Sequence, residues 1–190
     1  MSHVVFEPEK CPDKAARVWA GMREIARRIH SLDPDLLIIA TNDHLNNFTL
    51  ALQAPFIVGV ADEYIPLGDM GIPKTPFPGS REFADGFVRF AATAGFDVAR
   101  AEEIAPDHGF AFPNLVVNPG GRVPVLPFYI NVANDIPPTP ARVYRFLELL
   151  ENSWGFVLPH CGHWVMMEAP EEFTAITTTF LGQDLFRTPS

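Results

Sequence analysis

Residues 36–48, LLIIATNDHLNNF, join a short apolar run to a cluster of small polar side chains around one histidine. The apolar run, Leu36 to Ala40, is typical of a central strand that is covered on both faces of a sheet. In such sheets, ligands bind beyond the carboxyl ends of the strands, where loops carry the polar groups. We therefore predict that the segment containing His44 lies at the mouth of a site and that the strand is its scaffold.

The rest of the chain alternates helix and strand patterns. Apolar residues from Ala15 to Ile29 recur at the three- and four-residue spacing of one helix face. A second helix is expected between Ser80, a candidate N-cap, and Gly95, a candidate C-cap. The other predicted elements are strands at 55–60, 97–101 and 123–129 and loops at 64–79 and around His108. This alternation predicts a single α/β domain over residues 1–190, with a mainly parallel sheet flanked by helices.

Composition narrows the classes of function. Fourteen basic and 23 acidic residues give a net charge of −9, and no Lys or Arg cluster is present to neutralise phosphates. Nucleic acid and anionic membrane surfaces are therefore not expected as partners. The apolar runs are too short to cross a bilayer and the first residues do not resemble a secretion signal, so we expect a cytoplasmic protein. Two cysteines form neither a disulfide framework nor a zinc motif.

The histidines are the main candidates for chemistry. His44 follows two hydrogen-bonding residues at a predicted strand end, and it is either a polar loop residue or a functional group. His108 lies in PDHGFAFP, where Gly109 permits a tight turn and Asp107 could orient the ring, and it is either a turn residue or a functional group. Spacing alone leaves both alternatives open. His30, at the end of the first predicted helix, and His3, at the terminus, need no functional explanation on spacing alone.

Three ordered motifs resemble the class III extradiol ring-cleavage dioxygenases, the family of the protocatechuate 4,5-dioxygenase catalytic subunit and 2,3-dihydroxyphenylpropionate dioxygenase. They are NDHLNNF at 42–48, DHGFAFP at 107–113 and VPVLPFYIN at 123–131, and the resemblance covers about residues 1–146. It implies that His3 and His44 bind non-haem Fe(II) and that His108 is an acid–base or substrate-orienting group. It also implies a catechol-type aromatic substrate and O₂, because two imidazoles and one carboxylate leave positions on Fe(II) open for both. A neighbouring histidine can accept and return a proton near neutral pH.

The C-terminal tail, residues 147–190, departs from this family and is similar to the end of α/β-hydrolases that act on ring-fission products. In those hydrolases the histidine of the CGHW motif, His163 here, is the catalytic base. The glutamate ligand and second catalytic histidine of the dioxygenases are not recognisable in their usual form. Glu168, with Glu151 as the other choice, is the candidate third ligand, and His160 or His163 is the candidate replacement histidine. The chain is thus interpreted as the front of a dioxygenase joined to the tail of a hydrolase.

Three functions remain open from the sequence. The first is an Fe(II)-dependent extradiol dioxygenase, or a truncated and impaired derivative of one, with a homo-oligomer as one form of assembly. The second is a serine-type hydrolase, which CGHW favours and the absence of a G-x-S-x-G elbow opposes. The third is a non-catalytic remnant or accessory subunit that keeps the fold without the chemistry.

Overall fold

The computed structural model describes residues 7–131 and 136–150, together with positions 171 and 175. These residues divide between two compact units, one with residues 7–33, 171 and 175 and the other with residues 34–131 and 136–150. The prediction that the whole chain is one domain stays a prediction. Among the described residues, no helix is both long enough and apolar enough to span a bilayer.

Helix α1, Pro12–Ser31, is the longest element described in the first unit, and it confirms the first predicted helix. A short 3-10 turn, Pro8–Lys10, comes before it. Proline in the first turn suits a helix start because its missing N–H would have no partner inside the helix. The buried side chains of α1 lie at helical spacing on one face: Ala15, Val18, Met22, Ile25 and Ala26.

The described part of the second unit contains six strands and three helices. The strands are β1 Leu37–Thr41, β2 Phe56–Gly59, β3 Glu63–Tyr64, β4 Phe77–Pro78, β5 Ala99–Ala101 and β6 Val125–Ile130. The helices are α2 Arg81–Thr93, α3 His108–Val117 and α4 Pro140–Leu147, and a 3-10 turn lies at Asp69–Gly71. As predicted, Ser80 caps α2, since its hydroxyl accepts a hydrogen bond from the N–H of Phe83.

The main sheet has the strand order β1-β6-β2-β5, and β3 pairs with β4 in a small separate ribbon. β1 runs parallel to β6, β2 runs parallel to β5, and β2 and β6 are antiparallel. The predicted α/β class with a mainly parallel sheet is confirmed. Among the described strands β1 stands at the end of this order and pairs with β6, so the predicted central position of the 36–40 strand stays a prediction. Its apolar run reflects cover on both faces: Ile38 packs into one core and Leu37 and Ile39 into the other.

Side chains alternate between the two faces of the sheet with the two-residue period of strands. One face carries a phenylalanine-rich core to which α2 and α4 contribute: Phe56, Phe87, Phe96, Phe128 and Phe146. The opposite face carries a smaller core that includes Phe110 of α3 together with Tyr64, Phe77 and Val125. Helix α3 therefore packs on the face that also carries Thr41 and Tyr129, which are paired in the register of β1 and β6.

Replacing Phe146 with alanine tests the large core. The ring is 2 % exposed, and its centroid lies 4.7 Å from that of Phe96, 4.9 Å from Phe128 and 5.0 Å from Phe56. Because the deleted ring leaves a cavity, we expect a loss of about 3–5 kcal/mol in the free energy of unfolding, measured by urea denaturation. Tyr144→Ala on the same helix is the control, since that side chain is 52 % exposed and should cost well under half as much. Equal costs for the two variants would contradict this placement of α4.

Candidate functional site

The loop after β1 is held by hydrogen bonds to a buried carboxylate of its own. Asp43 is fully buried and accepts from the backbone N–H of Asn47 and of Phe48, at 3.1 and 3.0 Å to Oδ2, and from the Asn47 side-chain amide at 2.8 Å. Short polar side chains favour such turns because they bond to nearby backbone groups. Leu45 takes a left-handed conformation at φ 62° within this loop. The loop therefore presents His44 in a fixed position next to the end of β1.

A second segment, residues 105–109, which leads into helix α3, is bound to the first loop. The Asn47 amide donates to the carbonyl of Ala105 at 3.1 Å, and the N–H of Ala105 donates back to Asn47 Oδ1 at 2.8 Å. The Thr41 hydroxyl donates to the carbonyl of Gly109 at 2.9 Å. A Cβ at Gly109 would lie 2.8 Å from His44 Cε1 and 3.0 Å from Thr41 Oγ1. Only glycine fits this close approach of backbone to ring.

Asp107 is the group that joins these loops to helix α3. Its Oδ1 accepts from the N–H of Gly109 at 3.0 Å, so it is the N-cap of the helix. Its Oδ2 accepts from the ring Nδ1 and the backbone N–H of His44, at 2.9 and 3.1 Å, and from the Asn46 amide at 2.9 Å. Burial alone raises the pKa of Asp107, but the hydrogen bonds from His44 and Asn46 outweigh it, and the net pKa is lowered. The carboxylate is therefore ionised at neutral pH.

His108 does not lie in a loop, as the sequence suggested, but begins α3. The capping carboxylate just before it explains the difference, because a capped first turn stabilises a helix here despite Pro113 inside it. Its orienting carboxylate also differs from the predicted one, since Asp107 pairs with His44. Instead, His108 Nδ1 lies 2.5 Å from Oδ2 of Asp69, which also accepts from the His108 N–H at 3.3 Å.

The two imidazoles stack on each other, with ring centroids 4.3 Å apart and planes inclined by 26°. Each ring thus has its own carboxylate, Asp107 for His44 and Asp69 for His108. An ionised carboxylate can only accept hydrogen bonds, so Nδ1 of each ring is the nitrogen that carries the proton. The opposite nitrogen, Nε2, then has the lone pair that a metal ion or a substrate proton needs.

A metal ion could be held here. The ligand atoms that His44, Asp107 and His108 offer all lie within 4.8 Å of one another. Asp107 already accepts four hydrogen bonds and is fully buried, which suits a group that orients a ligand better than a ligand itself. Among the described residues, His44 therefore suits the role of metal ligand, and Asp107 suits the role of the group that orients the His44 ring.

Tyr129 is a further group near the site that the sequence did not single out. It is fully buried, and Phe48 packs edge-on against it with centroids 5.3 Å apart. Burial raises the pKa of Tyr129 well above its usual value, and the negative charges of Asp107 and Asp43 add to this. The phenol is therefore neutral at physiological pH.

The structure brings together two of the site residues expected from the sequence, His44 and His108. The other three, His3, His163 and Glu168, lie outside the described residues. Sequence reasoning missed Asp69, which lies 39 residues before His108. Two nearby glycines, Gly68 and Gly71, predict a turn around Asp69. They do not predict which residue the Asp69 side chain contacts.

Two carboxylate-bound imidazoles beside the sheet of an α/β fold provide side chains of the types that hold metal ions in proteins. Residues 1–151 match the family described as the catalytic LigB subunit of aromatic ring-opening dioxygenase, and the chain belongs to this family. The resemblance inferred from the three motifs is confirmed.

Individual relatives include ring-cleaving enzymes. The chain is 34% identical over 134 residues to a 2,3-dihydroxyphenylpropionate/2,3-dihydroxicinnamic acid 1,2-dioxygenase of Klebsiella pneumoniae subsp. pneumoniae, covering 69% of this chain and 41% of that one. A Pseudomonas putida enzyme of the same description is 30% identical over 139 residues, which are 73% of this chain and 43% of that one. The chain therefore spans less than half the length of these curated relatives.

A relative of another class is a 2-hydroxy-6-oxo-6-(2'-aminophenyl)hexa-2,4-dienoic acid hydrolase of Metapseudomonas resinovorans. It is 40% identical over 62 residues, 33% of this chain and 21% of the hydrolase. This short match supports the hydrolase-like part of the chain inferred from the sequence. Among solved structures, an uncharacterized protein of Escherichia coli K12 superposes with a TM-score of 0.41 at 16% identity, over 88% of this chain and 83% of that one.

Gly109→Ala tests the contact between the two loops. The added methyl group must displace the His44 ring or the Thr41 hydroxyl, so we expect a loss of about 1–3 kcal/mol in unfolding free energy and altered NMR signals of the His44 ring. Gly86→Ala in helix α2 is the matched control, because a Cβ there meets nothing within 4 Å and alanine favours a helix by up to about 1 kcal/mol. A Gly109→Ala protein as stable as wild type, with unchanged His44 signals, would show that the loops do not approach this closely.

Proposed function

We propose that this chain is an Fe(II)-dependent extradiol dioxygenase that opens catechol-type rings with O₂. The observation that carries the proposal is the stacked pair of imidazoles, each bound to its own carboxylate, next to the end of β1. Membership of the ring-opening dioxygenase family supports the reaction class. The names of the dioxygenase relatives support an aromatic diol as substrate.

His44 is the proposed iron ligand among the described residues, and His3 and Glu168 are the proposed partners that complete a set of two imidazoles and one carboxylate. The Asp107 carboxylate fixes the His44 tautomer, which leaves Nε2 to face a metal. When bound, Fe(II) supplies a route for electron density between a catecholate and O₂.

His108 is the proposed acid–base residue. Its stacking on His44 supports this role, because a substrate bound next to His44 would also lie next to His108. Nε2 accepts a proton from a catechol hydroxyl, so the O–H bond breaks as the N–H bond forms, and the same nitrogen later returns the proton. His163 is the proposed second catalytic histidine. The proposed setting is cytoplasmic, with a small aromatic molecule and O₂ as partners and homo-oligomers as the assembly.

Anaerobic iron titration of histidine variants tests these roles. Wild type should bind one Fe(II) per chain tightly, and His44→Ala should lose at least about tenfold in affinity because a ligand is gone. His108→Gln should keep the iron and lose about 10²–10⁴-fold in oxygen uptake with a panel of catechols. His30→Gln, a histidine of helix α1, is the control and should change neither measurement.

The outcomes separate the alternatives. Iron binding without oxygen uptake for any catechol would leave a metal-binding remnant and contradict the proposed activity. No iron binding by wild type would contradict the metal site itself. Loss of iron in His108→Gln as well as in His44→Ala would make His108 a ligand and overturn its assignment as the acid–base group.

The second candidate function is a serine-type hydrolase, which the 40% match to the Metapseudomonas resinovorans enzyme favours. The sequence lacks a G-x-S-x-G elbow, so the nucleophile of such an enzyme is missing. We therefore expect no hydrolysis of nitrophenyl esters above background, followed by absorbance. Turnover that disappears in His163→Ala but survives in His44→Ala would establish the hydrolase in place of the dioxygenase.

A further inference from the structure

Asp69 makes a contact that the family resemblance and the sequence motifs left unassigned. Its Oδ2 lies 2.5 Å from His108 Nδ1 and also accepts from the backbone N–H of the same residue at 3.3 Å. The carboxylate therefore binds both the ring and the backbone of the first residue of α3. An anion at this end of a helix is further stabilised by the helix dipole.

The turn that carries Asp69 contains a strained backbone conformation and a buried carboxylate oxygen without a hydrogen-bond partner among the described residues. Met70 takes a left-handed conformation at φ 52°, which costs about 1 kcal/mol or more for a residue other than glycine. Oδ1 of Asp69 is buried and has no hydrogen-bond partner among the residues that the structure describes. A buried acceptor without a partner is destabilising. In the described part of the chain, both side-chain hydrogen bonds of Asp69 go to His108, so the contact with this histidine is the feature of the turn that a function can use.

The contact decides which nitrogen of His108 can act as a base. Because the carboxylate accepts from Nδ1–H, the lone pair belongs to Nε2, on the far side of the ring from Asp69. An aspartate fixes the histidine of a Ser-His-Asp triad in the same way, by holding the tautomer and stabilising the imidazolium once a proton has been taken up. Here the ring held in this way is the one that stacks on His44.

We propose that Asp69 is the positioning residue for His108. It holds the imidazole against the His44 ring with the proton on Nδ1, so that Nε2 can take a hydroxyl proton from the substrate and return it. This assignment rests on the proposed function for its catalytic consequence, but the tautomer it requires is a property of the chain without substrate.

The test uses the full chain and two readouts. In ¹⁵N NMR of the protein without added iron, His108 should show a protonated Nδ1 and an unprotonated Nε2, and Asp69→Ala should shift it to the other tautomer or to a mixture. In the iron-loaded protein, Asp69→Ala and Asp69→Asn should lower kcat for catechol at least about tenfold, with KM and iron affinity within twofold of wild type. Asp97→Asn is the matched control, because Asp97 is exposed at the turn before β5, and it should change neither readout.

The results separate this inference from the proposed function. If wild type cleaves no catechol but the Nδ1-protonated tautomer is present and lost in Asp69→Ala, the positioning role stands and the proposed function fails. If wild type is active and Asp69→Asn, folded by circular dichroism, keeps both the tautomer and kcat, the positioning role is overturned. An equal fall in iron affinity and kcat would also overturn it, since it would place Asp69 in the metal site.

Discussion

The buried carboxylate of Asp107 is the group on which the site depends. It caps helix α3 through Gly109, fixes the ring and backbone of His44 and binds Asn46, which belongs to the loop after β1. Removing it would leave several donors without their acceptor at once, and a buried donor without a partner is costly. The Asp107 carboxylate therefore stabilises the start of helix α3, joins it to the loop after β1 and orients the His44 ring.

The register of β1 and β6 determines where the residues around Asp107 lie relative to the sheet. Thr41 ends β1 opposite Tyr129 of β6, and the Thr41 hydroxyl binds the carbonyl of Gly109 at 2.9 Å. Side chains alternate between the faces of a sheet. If β1 paired with β6 one residue out of register, Thr41 would turn to the opposite face and lose its hydrogen bond to Gly109 of helix α3. The two cores, one on each face of the sheet, oppose such a shift.

Local patterns predicted the scaffold well because local forces determine it. The apolar spacing of α1, the cap of α2 by Ser80 and the strand before residue 42 are all encoded within short segments. The neighbours of β1 in the sheet could not be predicted in the same way, because an apolar run reports cover on two faces and not the number of neighbouring strands. The two carboxylate partners were assigned wrongly or missed because each acts across 39 or 63 residues of chain.

The described hydrogen bonds that join the two loops and orient the imidazoles run between residues 41 and 109, within one compact unit. Both imidazoles and both carboxylates lie within residues 1–151, the part of the chain that matches the dioxygenase family. Ferrous ion is low in the affinity series and binds tightly only where several ligands converge, so His44 needs further ligands beside it to hold the ion.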